Sequence, residues 1–387
     1  MMKAFIANAE WQPRNSYKLS EDEKKRKRAV NGNMVWKNPG FEIRNVPVPE
    51  TGDDEVLIRV KSCGICGSDT HVYKTDEEKY IIFSGLAKFP CILGHEFSGI
   101  VEKTGSLVKT LRVGDKVAVE SIMWCGICNS CRGGAPNQCR NIELLGLSSD
   151  GALAEFAAVK ERYCWKINEF EEIYPGDELF DVGALIEPVG CAYNGIFIAG
   201  GGFVPGAVVA VYGTGPIGLG AIALARAAGA SCIIAFDRVD ERLNIASQMG
   251  ADHVFNVEKM VKGEASQRVM ELTDGFGADV QVEAAGAAPL TVPEMEKSMS
   301  LNGKIIYLGR AACSTPVNLD LFVSGANSLI GSRGHSGYGI YPNIIRLIAS
   351  GRLKVEKMVT SRYPFDRVME ALELSSHCTD GKIIIRI

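Results

Sequence analysis

Ala207-Val-Val-Ala-Val-Tyr-Gly-Thr-Gly-Pro-Ile-Gly218 is an apolar run that stops abruptly at three spaced glycines. Ala207 to Tyr212 has the density of a strand buried on both faces, Leu219 to Ala228 reads as an alanine-rich helix, and Cys232-Ile-Ile-Ala-Phe236 as a second strand ending at Asp237. Strand, G-x-G-x-x-G loop, helix, strand and an acid 19 residues after the last glycine make the dinucleotide-binding pattern in its required setting. Gly213 permits the tight turn, Gly215 lets a pyrophosphate approach the backbone, and Gly218 lets helix and strand pack closely. The helix N-terminus at Pro216 and Ile217 then faces the phosphates. Glycines used only for turns would leave Asp237 unexplained. Asp237 is expected to accept hydrogen bonds from the adenine-ribose hydroxyls and repel a 2′-phosphate, which selects NAD, and Arg242 to pack against the adenine.

Downstream, helix Arg242 to Met249, strand Asp279 to Glu283, helix Val292 to Ser300 and strands Lys304 to Leu308 and Ser328 to Gly331 continue a doubly wound parallel sheet. Helix Asn343 to Ser350, a strand near Met358, helix Phe365 to Leu374 and a strand Lys382 to Ile387 follow. Upstream the rhythm differs. Residues 3 to 9 and 41 to 60 read as strands, and from Phe97 to Val119 short apolar strands alternate with turns, as in a small β-barrel. Trp11 to Gly40 is polar, with the charge run Glu21-Asp-Glu-Lys-Lys-Arg-Lys-Arg28, and reads as a solvated surface segment. Lys74 to Lys88 reads as a loop near the rim of a site.

That site is suggested by Cys63-Gly-Ile-Cys-Gly-Ser-Asp-Thr-His71 and, 24 residues after His71, Gly94-His95-Glu96. Cys66 and His95 offer thiolate and imidazole, which suit zinc, and Glu96 an oxygen ligand. Asp69 is then free to accept a ring N–H, and Ser68 and His71 to move a proton. On these residues alone a second reading stands equally: Cys63 and Cys66 as half of a zinc ribbon or a redox pair. Cys125, Cys128, Cys131 and Cys139 put four thiols within 15 residues, able to wrap one ion in a closed tetrahedral shell and staple a lobe with little core. A nucleic-acid-reading knuckle would need more basic and aromatic neighbours than Arg132, Arg140 and Trp124. Glu187, in the apolar run Ala184-Leu-Ile-Glu-Pro188, needs a cation nearby if buried, although a helix-start glutamate before proline is the simpler reading. His253, His335 and His377 read as polar loop residues.

The 387 residues suffice for two or three domains, and 46% hydrophobic and 23% charged residues are those of a globular protein. A net charge of −4 supplies no basic field for nucleic acid. The apolar stretch Gly206 to Leu224 is broken by glycines, Met1 to Glu10 lacks a secretory pattern, and a cytoplasmic protein with no membrane partner is expected. Twelve cysteines without an export signal point to metal rather than disulfides.

Taken together, the G-I-C-G-S-D-x-H stretch, Gly94-His95-Glu96, the four-cysteine lobe, Glu187-Pro188 and the glycine motif, in that order, resemble the zinc-containing medium-chain alcohol dehydrogenase family, in its sorbitol and threonine dehydrogenase branch. The resemblance covers nearly the whole chain. It implies an α/β protein with a GroES-like β-barrel catalytic domain (1–187 and 334–387, including a structural zinc lobe at 120–141), a Rossmann NAD-binding domain (188–333) and a cleft between them. It places Cys66, His95, Glu96 and Glu187 at a catalytic zinc, the four cysteines at a structural zinc, and Asp69, Ser68 and His71 in orientation and proton relay through the nicotinamide ribose. Leu308 and Gly309 join the glycine motif in holding NAD. The resemblance further implies two Zn²⁺ per chain, a small polar polyol or keto-polyol substrate with Ser68, Asp76, Glu77, Glu120 and Arg310 as hydroxyl partners, and a homo-oligomer, dimer or tetramer. Cys63 has no family role. The segments around Glu21 to Arg28 and Lys74 to Lys88 depart from the shorter family pattern. Competing readings are a zinc-free quinone reductase, which would not need Cys66, His95 or the cysteine lobe, a simple alcohol dehydrogenase, and a non-catalytic nucleotide-binding protein.

Overall fold

Strand Glu55–Gly64 organises the first part of the molecule. Val56, Ile58 and Val60 are at most 1% exposed, so alternate side chains point into one core, as a half-buried strand requires. Strand Glu96–Thr104 pairs antiparallel along one edge, and Phe156–Lys160 and Lys382–Arg386 along the other. The register sets Gly64 opposite both Glu96 and Ile384, which draws the chain before Cys66, the residue after His95 and the last strand to one place. A three-stranded sheet of Trp36–Val46, Met2–Trp11 and Cys91–Ile92 lies beside this barrel-like sheet. The computed structural model describes residues 1–311 and 313–387. They form two units: 1–187 with 361–378 and 382–387, and 188–360 with 379–381.

The charge run forms a short surface helix with its charges exposed apart from Glu23, as expected, while the residues around it dock on the first unit. Ser20 caps the short helix Glu21–Arg26 with a capping box to Glu23, whose buried carboxylate also accepts from Tyr17 Oη at 2.8 Å and Val30 N at 3.0 Å. Beyond the helix, Ala29 and Val35 are fully buried, Trp36 is 2% exposed, and the Trp36 indole donates to Ala87 O at 3.1 Å. Bridges Ala29–Ala87 and Lys37–Tyr80 tie the insert to the 74–88 loop. The two departures from the family pattern therefore support each other.

In the second unit six parallel strands run in the order His253–Asn256, Cys232–Asp237, Val208–Tyr212, Ala278–Glu283, Met299–Tyr307, Ser328–Gly331. Numbered along the chain this is 3-2-1-4-5-6, the doubly wound dinucleotide-binding order. Return to the first unit was expected at 334 but falls at Ser361. Helix Ile340–Ala349 explains the difference, because Asn343 bonds Tyr193 Oη at 3.0 Å and Tyr341 packs on His335. His335 lies in a loop, as expected, and is fully buried there. The segment Glu178–Ala199 is long and apolar enough to cross a bilayer, yet 72% of its apolar window is buried in the protein, as in a core helix.

Asp181, on helix Glu178–Tyr193, is a fully buried carboxylate in the first unit. It accepts from Ser62 Oγ, Arg362 Nε and Arg386 Nη2, each at 2.7 Å, so one side chain ties the organising strand to the two final strands. Asp181→Ala should destabilise the protein by about 3 kcal/mol, near the lower end for breaking a buried pair because water can reach the two arginines. Urea denaturation measures this, and an unchanged midpoint would contradict the role.

Candidate metal centres and cofactor loop

Cys66 is the N-cap of helix Gly67–Tyr73, and its backbone N–H donates to Asp69 Oδ2 at 2.9 Å. The other Asp69 oxygen lies 3.7 Å from His95 Nδ1. Both atoms are buried without a hydrogen-bond partner, so a small closure would let Nδ1–H donate to Asp69 and leave Nε2 as the free lone pair. Gly94 makes this placement feasible: its φ is +88°, and a methyl there would sit 2.7 Å from Cys63 Sγ. Ligand atoms of Cys66, His95 and Glu96 lie within 4.8 Å of one another, a group that fits one ion. Cys63 stays outside it, fully buried, its thiol pushed well up by burial.

Glu187 is 8% exposed and accepts from Ser121 Oγ at 2.9 Å, but does not belong to that close group. It sits mid-helix, not at a helix start, and Pro188 continues the helix that ends in a π-turn at Asn194–Ala199. Ser68 Oγ lies 3.1 Å from His95 Nε2, half-buried, and His71 one turn on is exposed. Positions three apart share a helix face, so the pair leads from the ligand group to the surface. Asp76 pairs with Arg14, and its Oδ1 accepts from Glu78 N and Tyr80 N at 3.0 Å. Glu120 is buried and accepts from the Trp165 indole at 2.8 Å. Glu77 is exposed, and Arg310 belongs to the second unit. Lys382, which sequence reasoning passed over as part of a final strand, pairs with Glu96 at 2.5 Å, both 1% exposed.

In the cysteine lobe, Sγ–Sγ separations are 3.5 Å (128–131), 3.6 Å (125–139), 3.9 Å (128–139) and 4.0 Å (125–131). A tetrahedron with bonds of about 2.3 Å has edges of about 3.8 Å, so the sulfurs already stand as a zinc shell would hold them. Backbone N–H groups of Ile127 and Cys128 bring the Cys125 thiol down to about 6, while burial and the neighbouring sulfurs push Cys131 up to about 12. A central dication removes that obstacle to ionising all four.

The glycine loop fits a dinucleotide. Gly213 has φ +93° and meets the Ala285 backbone, and Gly218 packs on Gly213 O. Gly215 stands in the open, where an added methyl would meet only Arg242 Nη1, at 3.7 Å. Helix Pro216–Ala227 begins without a side-chain cap, leaving its N–H groups for an anion. Asp237 closes the loop from below, accepting from Thr214 N at 2.6 Å, Thr214 Oγ1 at 3.0 Å, Arg238 N at 2.7 Å and Val239 N at 3.0 Å. Four donors fill a carboxylate's acceptor positions, so a ribose must share or displace one. Arg242 donates to Asp380 O at 2.7 Å, and Leu308 N and Gly309 N both donate to Glu283 O at 2.9 Å.

Residues 52–169 match the alcohol dehydrogenase GroES-like domain and residues 216–350 the zinc-binding dehydrogenase domain. The chain is 38% identical to scyllo-inosose 3-dehydrogenase of Thermotoga maritima over 96% of each, and 34% identical to L-threonine 3-dehydrogenase of Pyrococcus horikoshii over 90% and 95%. Among solved structures, a Thermotoga maritima protein described as an alcohol dehydrogenase superposes with TM-score 0.95 at 36% identity over the full length of both. A Sinorhizobium meliloti zinc-binding dehydrogenase bound to NADP gives TM-score 0.79 at 26% identity over 93% and 99%.

Burial raises Cys66 and Glu96 above their usual values, and although burial alone would lower His95, the charges of Asp69 and Cys66 carry it well above its own. Raised values mean that the metal-free site keeps its protons to higher pH, so metal must displace them and affinity falls as pH falls. Each displaced proton should cost about tenfold in affinity per pH unit. Calorimetry of metal uptake in buffers of different ionisation heat reads this directly, and uptake without proton release would contradict it.

Proposed function

The chain belongs to the zinc-binding alcohol dehydrogenase family with a GroES-like domain, and from that premise we propose that it oxidises a secondary hydroxyl of a cyclic or sugar-like polyol, or a keto-inositol, with NAD as acceptor. The observation that carries the reading is the close group of Cys66, His95 and Glu96 in a buried setting that also contains Glu187. Thiolate, imidazole and carboxylate form an oxygen-containing donor set, which tolerates a substrate bringing a second oxygen close by. The inosose for which the Thermotoga maritima relative is named, at 38% identity, is the favoured substrate. Two zinc ions per chain are proposed, one at this open set and one at the closed cysteine shell.

Zinc bound at the open set supplies a Lewis acid that favours ionisation of a hydroxyl. NAD bound at the glycine loop supplies the hydride acceptor. The chain's own residues do the rest. Asp69 orients His95 and fixes its tautomer. Ser68, beside His95 Nε2, accepts the hydroxyl proton and passes it towards His71, whose exposure lets water take it. Asp237 orders the glycine loop through Thr214 and reads the adenine ribose, which selects NAD.

For the proposed oligomer, the outer strand of the second unit, Ser328–Gly331, has an edge that no strand among the described residues pairs with. Leu329 on this strand is 43% exposed, and Leu319 and Val323 on the preceding helix Leu319–Gly325 are 72% and 80% exposed. Such an edge is normally covered. Sedimentation velocity should show at least a dimer that Val323→Asp weakens, whereas a wild-type monomer would refute the assembly.

Steady-state kinetics with scyllo-inosose, myo-inositol, sorbitol, L-threonine and a primary alkanol test the function. The cyclic polyol or its ketone should give the highest kcat/KM, with NAD preferred over NADP and activity near background in Cys66→Ala. Preference for the alkanol would overturn the polyol reading, preference for threonine would keep the branch and discard the substrate, and preference for NADP would remove the role given to Asp237.

A further inference from the structure

Helix Gly67–Tyr73 carries Ser68 and His71 but is only seven residues long. So short a helix does little to hold its own shape, and its last carbonyls have no partner within it. Lys74 N closes the final turn on Thr70 O at 2.8 Å, and two amides from the 74–88 loop, Ile82 N and Phe83 N, both donate to His71 O at 3.0 Å. Two donors fill both lone pairs of that carbonyl. The loop in turn depends on the N-terminal insert. Its tip is a turn in which Asp76 N donates to Tyr80 O at 2.9 Å and Lys79 adopts φ +70°, a left-handed conformation that costs a lysine energy. Asn38 N donates to Lys79 O at 2.9 Å, and Ile81 N to Trp36 O at 3.1 Å. Arg14 closes the join. Its Nη1 and Nη2 donate to Glu78 and Asp76, its Nε to Asn33 O at 3.1 Å, and its guanidinium carbon lies 3.9 Å from the centre of the Tyr80 ring. Three acceptors and an aromatic face around one planar cation fix its orientation. The side chain is 20% exposed, so water screens these contacts only in part.

We propose that Arg14 is a positioning residue for the proton relay: by clamping the tip of the 74–88 loop to the insert, it presents Ile82 N and Phe83 N to His71 O and so fixes the end of the helix from which Ser68 and His71 act. This rests on reading Ser68 and His71 as the relay. Without Arg14 two carboxylates at the tip repel each other, the strained turn loses its brace, and His71 loses the support of both amides. A proton leaving Ser68 then finds the imidazole in reach less often. The Arg14 side chain is held by Asn33, Asp76, Glu78 and Tyr80, all in the insert or the loop. Its effect therefore falls on proton transfer rather than on substrate or cofactor binding.

Hydrogen exchange and steady-state kinetics on the purified holoenzyme test this together. In Arg14→Met the peptide containing Ile82 and Phe83 should exchange about tenfold faster than in wild type, through a local opening and not a global one. With the polyol or keto-polyol that turns over fastest, kcat should fall roughly tenfold, a fraction of what a whole proton-transfer group contributes, with KM near wild type. Raising the concentration of a tertiary-amine buffer at fixed pH and ionic strength should restore kcat, because the free base then takes the proton in place of His71. Arg14→Lys keeps the charge but not the fork, and should recover part of both effects. In a His71→Ala background Arg14→Met should cost no further kcat. If Arg14→Met does not fold, Glu78→Gln, at a side chain 66% exposed, weakens the same clamp and takes its place. Wild-type exchange in a folded variant overturns the proposal, and so does a loss of kcat that buffer does not restore or that persists without His71. If no substrate turns over, the proposed function fails, while exchange still decides the clamp.

Discussion

Removing a carboxylate or thiolate from water costs several kcal/mol unless something positive takes the water's place, and the first unit does so repeatedly. Asp69 and Asp181 are fully buried, Glu96 is 1% exposed, Glu120 3% and Glu187 8%. Each is answered differently. Two arginines and a serine answer Asp181, an indole N–H answers Glu120, and a lysine answers half of Glu96. Around Cys66 the negative groups crowd: Cys66, Asp69, Glu96 and Glu187 gather near the Lys382 ammonium and the His95 imidazole. A dication fits that concentration of negative charge. Burial is the larger reason that Cys66 and Glu96 hold their protons high, with neighbouring negative charge adding to it, and for His95 the charges of Asp69 and Cys66 outweigh burial. The organising strand, the turn at Gly94 and the register at Gly64 all serve to bring these groups together.

The cysteine lobe solves a different problem. Its thiols are only partly buried apart from Cys139, and they sit at tetrahedral spacing under backbone N–H groups. A closed shell leaves no position for substrate, so the lobe's contribution is shape. Arg28 joins the lobe's flank at Glu143 to the N-terminal insert, and the insert in turn holds the 74–88 loop through Trp36 and Arg14. The 74–88 loop is thus held by the insert, which the lobe's flank in turn holds.

Much of this was legible in the sequence because its signals are local. The glycine motif needs only a strand before it and a helix after it, and four cysteines within 15 residues leave few other uses. Cys66, His95 and Glu96 could be named as ligands, but the register that joins them could not. Lys382 is 286 positions from Glu96, and no periodicity announces which residue of a final strand faces a buried acid. Glu187 was misjudged because proline after glutamate is a common helix start, whereas tertiary packing here carries the helix through Pro188. The partner of Asp76 could not be read either, because Arg14 lies 62 positions away in a polar segment with no periodicity of its own.

Two ligand sets of opposite design are proposed to hold metal in one chain. Anomalous scattering from crystals of the purified protein, collected on either side of the zinc absorption edge, addresses it most directly. Two zinc peaks per chain are expected, one among Cys125, Cys128, Cys131 and Cys139 and one within bonding reach of Cys66 Sγ and His95 Nε2. A single peak at the cysteine lobe, with Cys66 and His95 bare in protein that still turns over substrate, would contradict it.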